Sequence, residues 1–137
     1  MIDVTAFVFS EPAAQTASVA RVVEVPLSTA TKDEIISFLA KALGVPDYSG
    51  ANWDALDECL RDLSWLKDRV IVIKHDGVPR LPVDVLRMYL DILARAVQSW
   101  RGENEHEVIV TFPASVRDEI TMITKGPVPG QDSERPS

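Results

Sequence analysis

The chain has 137 residues, of which 46% are hydrophobic and 26% charged, and this length suits one domain with its own core. Its formal net charge of −7 argues against direct binding of nucleic acid or of an anionic membrane, and favours a basic partner. The single cysteine, Cys59, excludes an internal disulfide framework and any site built from several thiolates.

Two short strands are predicted first, over residues 2–9 and 19–25, because β-branched and aromatic residues dominate both. A helix is predicted next. Thr31 and Glu34 have the spacing of a capping box, a broad apolar face follows them, and Gly44 suits the left-handed residue after the helix.

Asn52 is a good N-cap for a second helix, predicted from Trp53 to about residue 63. The apolar run over residues 69–75 is typical of a central strand that is buried on both faces. A third helix is predicted with Pro82 in its first turn. Its buried stripe comprises Val83, Leu86, Leu90, Leu93, Val97 and Trp100.

A last strand is predicted over residues 107–112, and residues 114–124 form either a short helix or a loosely packed segment. The element order indicates an α/β fold with a small parallel sheet of about three strands and right-handed crossovers. The 2–9 strand is an addition without an assigned neighbour. We therefore expect one domain over residues 1–124 and a disordered tail over 125–137.

The second helix carries charge on one side and apolar residues on the other. Trp53, Leu56, Leu60 and Leu63 form a stripe that faces the core, and Asp54, Asp57, Glu58 and Arg61 lie opposite. Asp54 and Glu58 are one i,i+4 step apart, where like charges cost the helix about 0.2–0.5 kcal/mol. An aromatic residue in the preceding loop, Tyr48, adds a possible anchor for a protein interface. A solvated helix face is the simpler alternative, and Asp57 with Arg61 fits an ordinary intrahelical ion pair.

Other candidates for chemistry are weak. His75 and His106 lack partners at metal-ligand spacing, so we expect no metal and no cofactor. An enzyme that uses Asp54 and Glu58 as acid and base is an alternative, but neighbours on one exposed helix face lack an enclosing cleft.

Residues 45–60, Val-Pro-Asp-Tyr-Ser-Gly-Ala-Asn-Trp-Asp-Ala-Leu-Asp-Glu-Cys-Leu, closely resemble the signature of the barstar family of intracellular ribonuclease inhibitors. The resemblance covers about residues 19–113. It implies a barstar-like three-layer α/β fold and a protein, not an enzyme, that blocks the active site of a small secreted microbial ribonuclease. Carboxylates would take the place of RNA phosphate. The implied contact residues are Tyr48, Gly50, Asn52, Trp53, Asp54, Asp57 and Glu58.

The sequence departs from the family pattern in places. Glu58 stands where we expect an aspartate, and the third helix has Arg95, Gln98 and Arg101 where a second acidic contact is expected. Because of these departures, an immunity or antitoxin protein for a different basic toxin is the alternative to a ribonuclease inhibitor. We expect a cytoplasmic protein, a monomer when unbound, that binds its nuclease one to one and binds neither nucleic acid nor membranes.

Overall fold

The computed structural model describes residues 2–9, 20–45, 52–103 and 105–126. A four-stranded parallel sheet has the order β1-β4-β3-β2. Its strands are β1 (Phe7–Phe9), β2 (Ala20–Val25), β3 (Val70–His75) and β4 (Glu107–Phe112). The helices are α1 (Lys32–Ala42), α2 (Trp53–Asp62), α3 (Val83–Ser99) and α4 (Arg117–Thr124). Short 3₁₀ helices cover Val4–Ala6 and Ala114–Val116. The α/β fold class is confirmed.

The strand β3 is one of the two interior strands, and it pairs with β2 on one side and β4 on the other. Ile73 lies opposite Val23 of β2 and Val110 of β4, and all three side chains are buried. The first four residues of β3 are buried on both faces, as the near-continuous apolar run predicts. This row of side chains forms the base of the core on which the helices pack.

The N-terminal strand is shorter than predicted, because Val4–Ala6 forms a 3₁₀ helix and only Phe7–Phe9 is extended. The Asp3 side chain accepts a hydrogen bond from the Thr5 backbone N–H at 3.0 Å, which gives this segment a local turn. The strand's neighbour is β4, with Phe7 opposite Val110. The predicted sheet of about three strands is therefore a sheet of four.

The helix predictions are largely confirmed. Both hydrogen bonds of the Thr31–Glu34 capping box are present, and Gly44 has a φ of 66° after α1. A short helix does form after β4. On α3, Pro82 precedes the helix instead of lying in its first turn, and Val83 is 49% exposed. The predicted place of Val83 in the buried stripe is therefore wrong, because the first buried residue of α3 is Leu86, one turn further along the helix.

Within the described ranges, no helix has the length and apolar character needed to cross a membrane.

Candidate functional site

The helix α2 begins at a well-formed cap. The Asn52 side-chain oxygen accepts hydrogen bonds from the backbone N–H groups of Asp54 at 2.7 Å and Ala55 at 3.2 Å. These contacts satisfy two donors that the first turn of a helix leaves without partners. The helix ends at Leu63, which adopts the left-handed conformation with a φ of 51°. Asn52 thus holds the start of α2 in place, and its cap was correctly predicted.

One side of α2 is committed to the core. Leu56, Leu60 and Leu63 are fully buried, and Trp53 is half-buried and packs against the same cluster. Asp54 and Glu58 are exposed on the other side of the helix. Because the leucine stripe anchors the helix, these two carboxylates are presented to solvent from a rigid support.

Asp57 differs from Asp54 and Glu58. Its Oδ2 accepts a hydrogen bond from Arg61 Nη2 at 2.8 Å, and its side chain is only 13% exposed. The other oxygen, Oδ1, is buried and has no hydrogen-bond partner among the described residues. The predicted ion pair with Arg61 is therefore confirmed, and it leaves Asp57 much less accessible than Asp54 and Glu58.

A second acid–arginine pair lies on the neighbouring helix. Asp91 of α3 is 9% exposed at its side chain and pairs with Arg95 Nε at 3.3 Å. Burial raises the pKa of the Asp91 carboxyl, Arg95 lowers it, and the charge of Asp57 raises it further. The charge of Asp57 thus acts across the contact between α2 and α3. We refer to Asp57, Arg61, Asp91 and Arg95 as the α2–α3 seam.

Two tryptophans brace the segment that contains α2. Trp65 Nε1 donates to the carbonyl oxygen of Leu43 at 2.9 Å, at the end of α1. Trp100 Nε1 donates to the carbonyl oxygen of Leu60 at 2.8 Å, in the last turn of α2. Trp100 is in the core, as predicted. These bonds tie the end of α1 and the end of α2 to the rest of the molecule.

The thiol and the two imidazoles, which are the other candidates for reactivity or metal binding, lie in structural environments. Burial, followed by the charges of Asp62 and Glu58, raises the pKa of the Cys59 thiol, which opposes thiolate formation. His75 ends β3 and is buried, and His106 precedes β4 with its Nδ1 2.9 Å from the Asp68 carbonyl oxygen. No group of three acidic, histidine or cysteine side chains in the described part of the chain could hold a metal ion.

The predicted contacts Tyr48 and Gly50 lie outside the described residues, as does the rest of the 46–51 segment. Of the other five, Asp54 and Glu58 share one exposed face, and Asn52 and Trp53 begin the same helix. Asp57 is paired with Arg61 and largely withdrawn from solvent.

The seam is the feature that sequence reasoning missed. Each of its two pairs has i,i+4 spacing, which predicts an intrahelical ion pair. Spacing within one helix cannot show that a pair on α2 and a pair on α3 meet, because that depends on how the helices pack.

A family profile described as Barstar (barnase inhibitor) matches residues 20–112, well over half of the chain. The matched region runs from β2 to β4 and includes α2 with its exposed acids. No curated protein and no solved structure matched the chain. The extent of the family match, together with the parallel α/β fold, shows that this chain belongs to the barstar family of barnase inhibitors.

Proposed function

We propose that this protein inhibits a small, basic microbial ribonuclease, barnase-like or guanyl-specific, by binding its active site one to one. The observation that carries the proposal is the exposure of Asp54 and Glu58 on α2, in a chain that belongs to a family of ribonuclease inhibitors. The leucine stripe on the other side keeps that face in place.

The mechanism rests on charge and on rigidity. The active site of a ribonuclease must carry cations that bind the RNA phosphate, and carboxylates can take the place of that phosphate. Asp54 and Glu58 lie one helical turn apart, so both can enter one cleft without rearrangement of the helix. Binding through a pre-formed helix avoids the entropy cost of ordering its backbone.

The other predicted contacts have supporting roles in this proposal. Tyr48 and Gly50 belong to the segment that leads into α2, and we assign them to close contact with the nuclease. Asn52 and Trp53 hold the start of the helix. Asp57 is largely buried and paired with Arg61, so in this proposal it orients Arg61 and does not itself contact the nuclease. We place the protein in the cytoplasm, where it would protect the cell that produces the nuclease.

Replacement of Glu58 by alanine tests the proposal. We expect inhibition of barnase or of a guanyl-specific ribonuclease to weaken roughly 10- to 100-fold, since a hydrogen bond to a charged group contributes about 1.5–3 kcal/mol. The measurement is residual RNA cleavage against inhibitor concentration. Glu119→Ala is the matched control, because Glu119 is an exposed acid on α4.

The control variant should inhibit like the wild-type protein. Equal inhibition by Glu58→Ala and the wild type would contradict the role of this face. Full nuclease activity at a large excess of the wild-type protein, across several microbial ribonucleases, would contradict the proposed function itself.

A second candidate is an immunity or antitoxin protein for a different basic nuclease or toxin. The observation that favours it is Arg95, which is exposed on α3 where a second acidic contact would be expected. A complex with a deoxyribonuclease, isolated from the native host and dissociated by the Glu58 substitution, would decide for this candidate.

A further inference from the structure

The α2–α3 seam presents cations, although α2 carries four acids and one base. Arg61 and Arg95 are about half exposed at their side chains, at 49% and 53%. Their partners Asp57 and Asp91 are only 13% and 9% exposed. The carboxylates therefore lie beneath, and the guanidinium groups form the outer surface of the seam.

The guanidinium groups are held in place and keep donors for another ligand. Arg61 bonds its carboxylate through Nη2, and Arg95 contacts its own through Nε. A guanidinium carries five N–H donors in a planar fork that matches a carboxylate. Because each arginine is already oriented by its buried acid, binding a second acid costs less side-chain entropy than it would for an unpaired arginine.

The surface around α2 is consequently divided by charge. Asp54 and Glu58 are exposed acids, and the seam contributes two exposed cations. Each arginine forms an ion pair with its own aspartate, so the seam turns the positive ends of two ion pairs towards a partner. A partner cleft that was basic throughout would place its own cations against these positive ends, which opposes binding.

We propose that the seam is a second recognition element, and that the partner nuclease carries acidic side chains at the rim of its basic cleft that pair with Arg61 and Arg95. This inference rests on the proposed function. It adds a selectivity rule, because nucleases with an acidic rim are bound and nucleases whose rim is wholly basic are rejected.

A phosphate of RNA is the other ligand chemistry that suits two arginines, but the surroundings disfavour it. The exposed acids of α2 lie on the same helix as Arg61, and the whole chain has a net charge of −7. These negative charges would repel a polyanion, whereas they would attract a basic protein that carries isolated carboxylates.

The test asks whether removing the positive charges of Arg61 and Arg95 weakens or strengthens binding to the nuclease. Affinity for a ribonuclease that the wild-type protein inhibits, with barnase tried first, is measured for Arg95→Gln and for Arg61→Gln with Arg95→Gln. We expect the single variant to bind at least threefold more weakly and the double variant at least tenfold. Tighter or unchanged binding by the double variant would overturn the inference, because a rim without acid gains from the loss of these cations.

Removal of an arginine leaves a buried acid unpaired and can destabilise the fold. A second comparison avoids this problem. The single variant Asp91→Asn is compared with the double variant that combines Asp91→Asn and Arg95→Gln, and the buried carboxylate is absent from both. The double substitution should bind more weakly than Asp91→Asn alone. Thermal unfolding of every variant shows whether it is folded at the assay temperature.

Two further measurements separate the outcomes. A short RNA oligonucleotide titrated onto the wild-type protein should not bind, and binding that disappears in the double glutamine variant would overturn the inference in favour of a phosphate ligand. A wild-type protein that inhibits no ribonuclease overturns the proposed function along with the seam's role. In the remaining outcome, the wild-type protein inhibits the nuclease normally, and inhibition is weakened by Glu58→Ala but not by the arginine substitutions. That result would overturn the role of the seam and leave the proposed function standing.

Discussion

At the carboxyl end of β3, the imidazole of His75 is enclosed between neighbouring elements. Its ring stacks on Phe112 with centroids 4.1 Å apart, and Nδ1 lies 2.9 Å from the carbonyl oxygen of Thr111. A carbonyl oxygen can only accept, so Nδ1–H donates to it and Nε2 accepts from the Tyr89 hydroxyl at 2.6 Å. Both contacts are satisfied by a neutral imidazole. Burial lowers the pKa of His75 to about 4, although the hydrogen bond to Thr111 raises it.

This lowered pKa predicts loss of stability in mild acid. Above pH 6.5 the histidine is neutral whether the chain is folded or unfolded, so it contributes no pH dependence. Between pH 6.5 and about 4 the unfolded chain binds a proton that the folded chain does not, and the free energy of unfolding falls by about 3 kcal/mol. Urea unfolding at a series of pH values measures the loss.

His75→Gln is the control for that series, because glutamine keeps a donor and an acceptor but does not titrate. Acidic side chains contribute equally to both proteins, so the difference between the two curves isolates His75. A constant difference between pH 7 and pH 4 would contradict the buried neutral imidazole.

At the scale of the elements, α2 packs on the core with one face, and hydrogen bonds from Trp100 and Trp65 hold its last turn and the segment after it. The bond from Trp100 Nε1 to the Leu60 carbonyl oxygen is buried, and the bond from Trp65 Nε1 to the Leu43 carbonyl oxygen is part-buried. Both acceptors are backbone groups, so the braces fix the course of the chain and leave the acidic side chains of α2 unhindered.

Substitution of these tryptophans by phenylalanine keeps an aromatic ring and removes the donor. We expect Trp100→Phe to lower the free energy of unfolding by about 1–3 kcal/mol, because the Leu60 carbonyl oxygen is left buried without its donor. Trp65→Phe should cost less, since water can replace the donor at a part-buried site. Denaturant unfolding of both variants gives the two values, and an equal or reversed order would contradict the argument from burial.

At the scale of the whole molecule, the net charge of −7 and the exposed acids of α2 predict electrostatic steering towards a basic nuclease. Salt screens charges over about 10 Å at 0.1 M ionic strength and over about 3 Å at 1 M. We therefore expect the association rate constant to fall at least tenfold between these conditions, while the dissociation rate constant changes less. Stopped-flow mixing at several salt concentrations measures both, and an association rate that does not depend on salt would contradict contact through the acidic face.

The sequence alone was sufficient for the local features of the fold and for one half of the site. Thr31 and Asn52 cap their helices as predicted, because capping depends on residues within one turn. The leucine stripe of α2 is buried, since the period of a helix dictates which residues share a face. That same period places Asp54 and Glu58 on the exposed side, so the two acids that we propose for binding could be identified from the sequence.

Only the tertiary structure decided where these parts meet. The pairing of β1 with β4 joins residues about a hundred positions apart, and no local pattern specifies it. The charged side of α2 includes Asp57, but in the folded chain its side chain is only 13% exposed, whereas its partner Arg61 is about half exposed. Asp91 and Arg95 on α3 show the same difference. The sequence therefore determines that α2 has an acidic face, and the packing of two helices determines which of its charges a partner can reach.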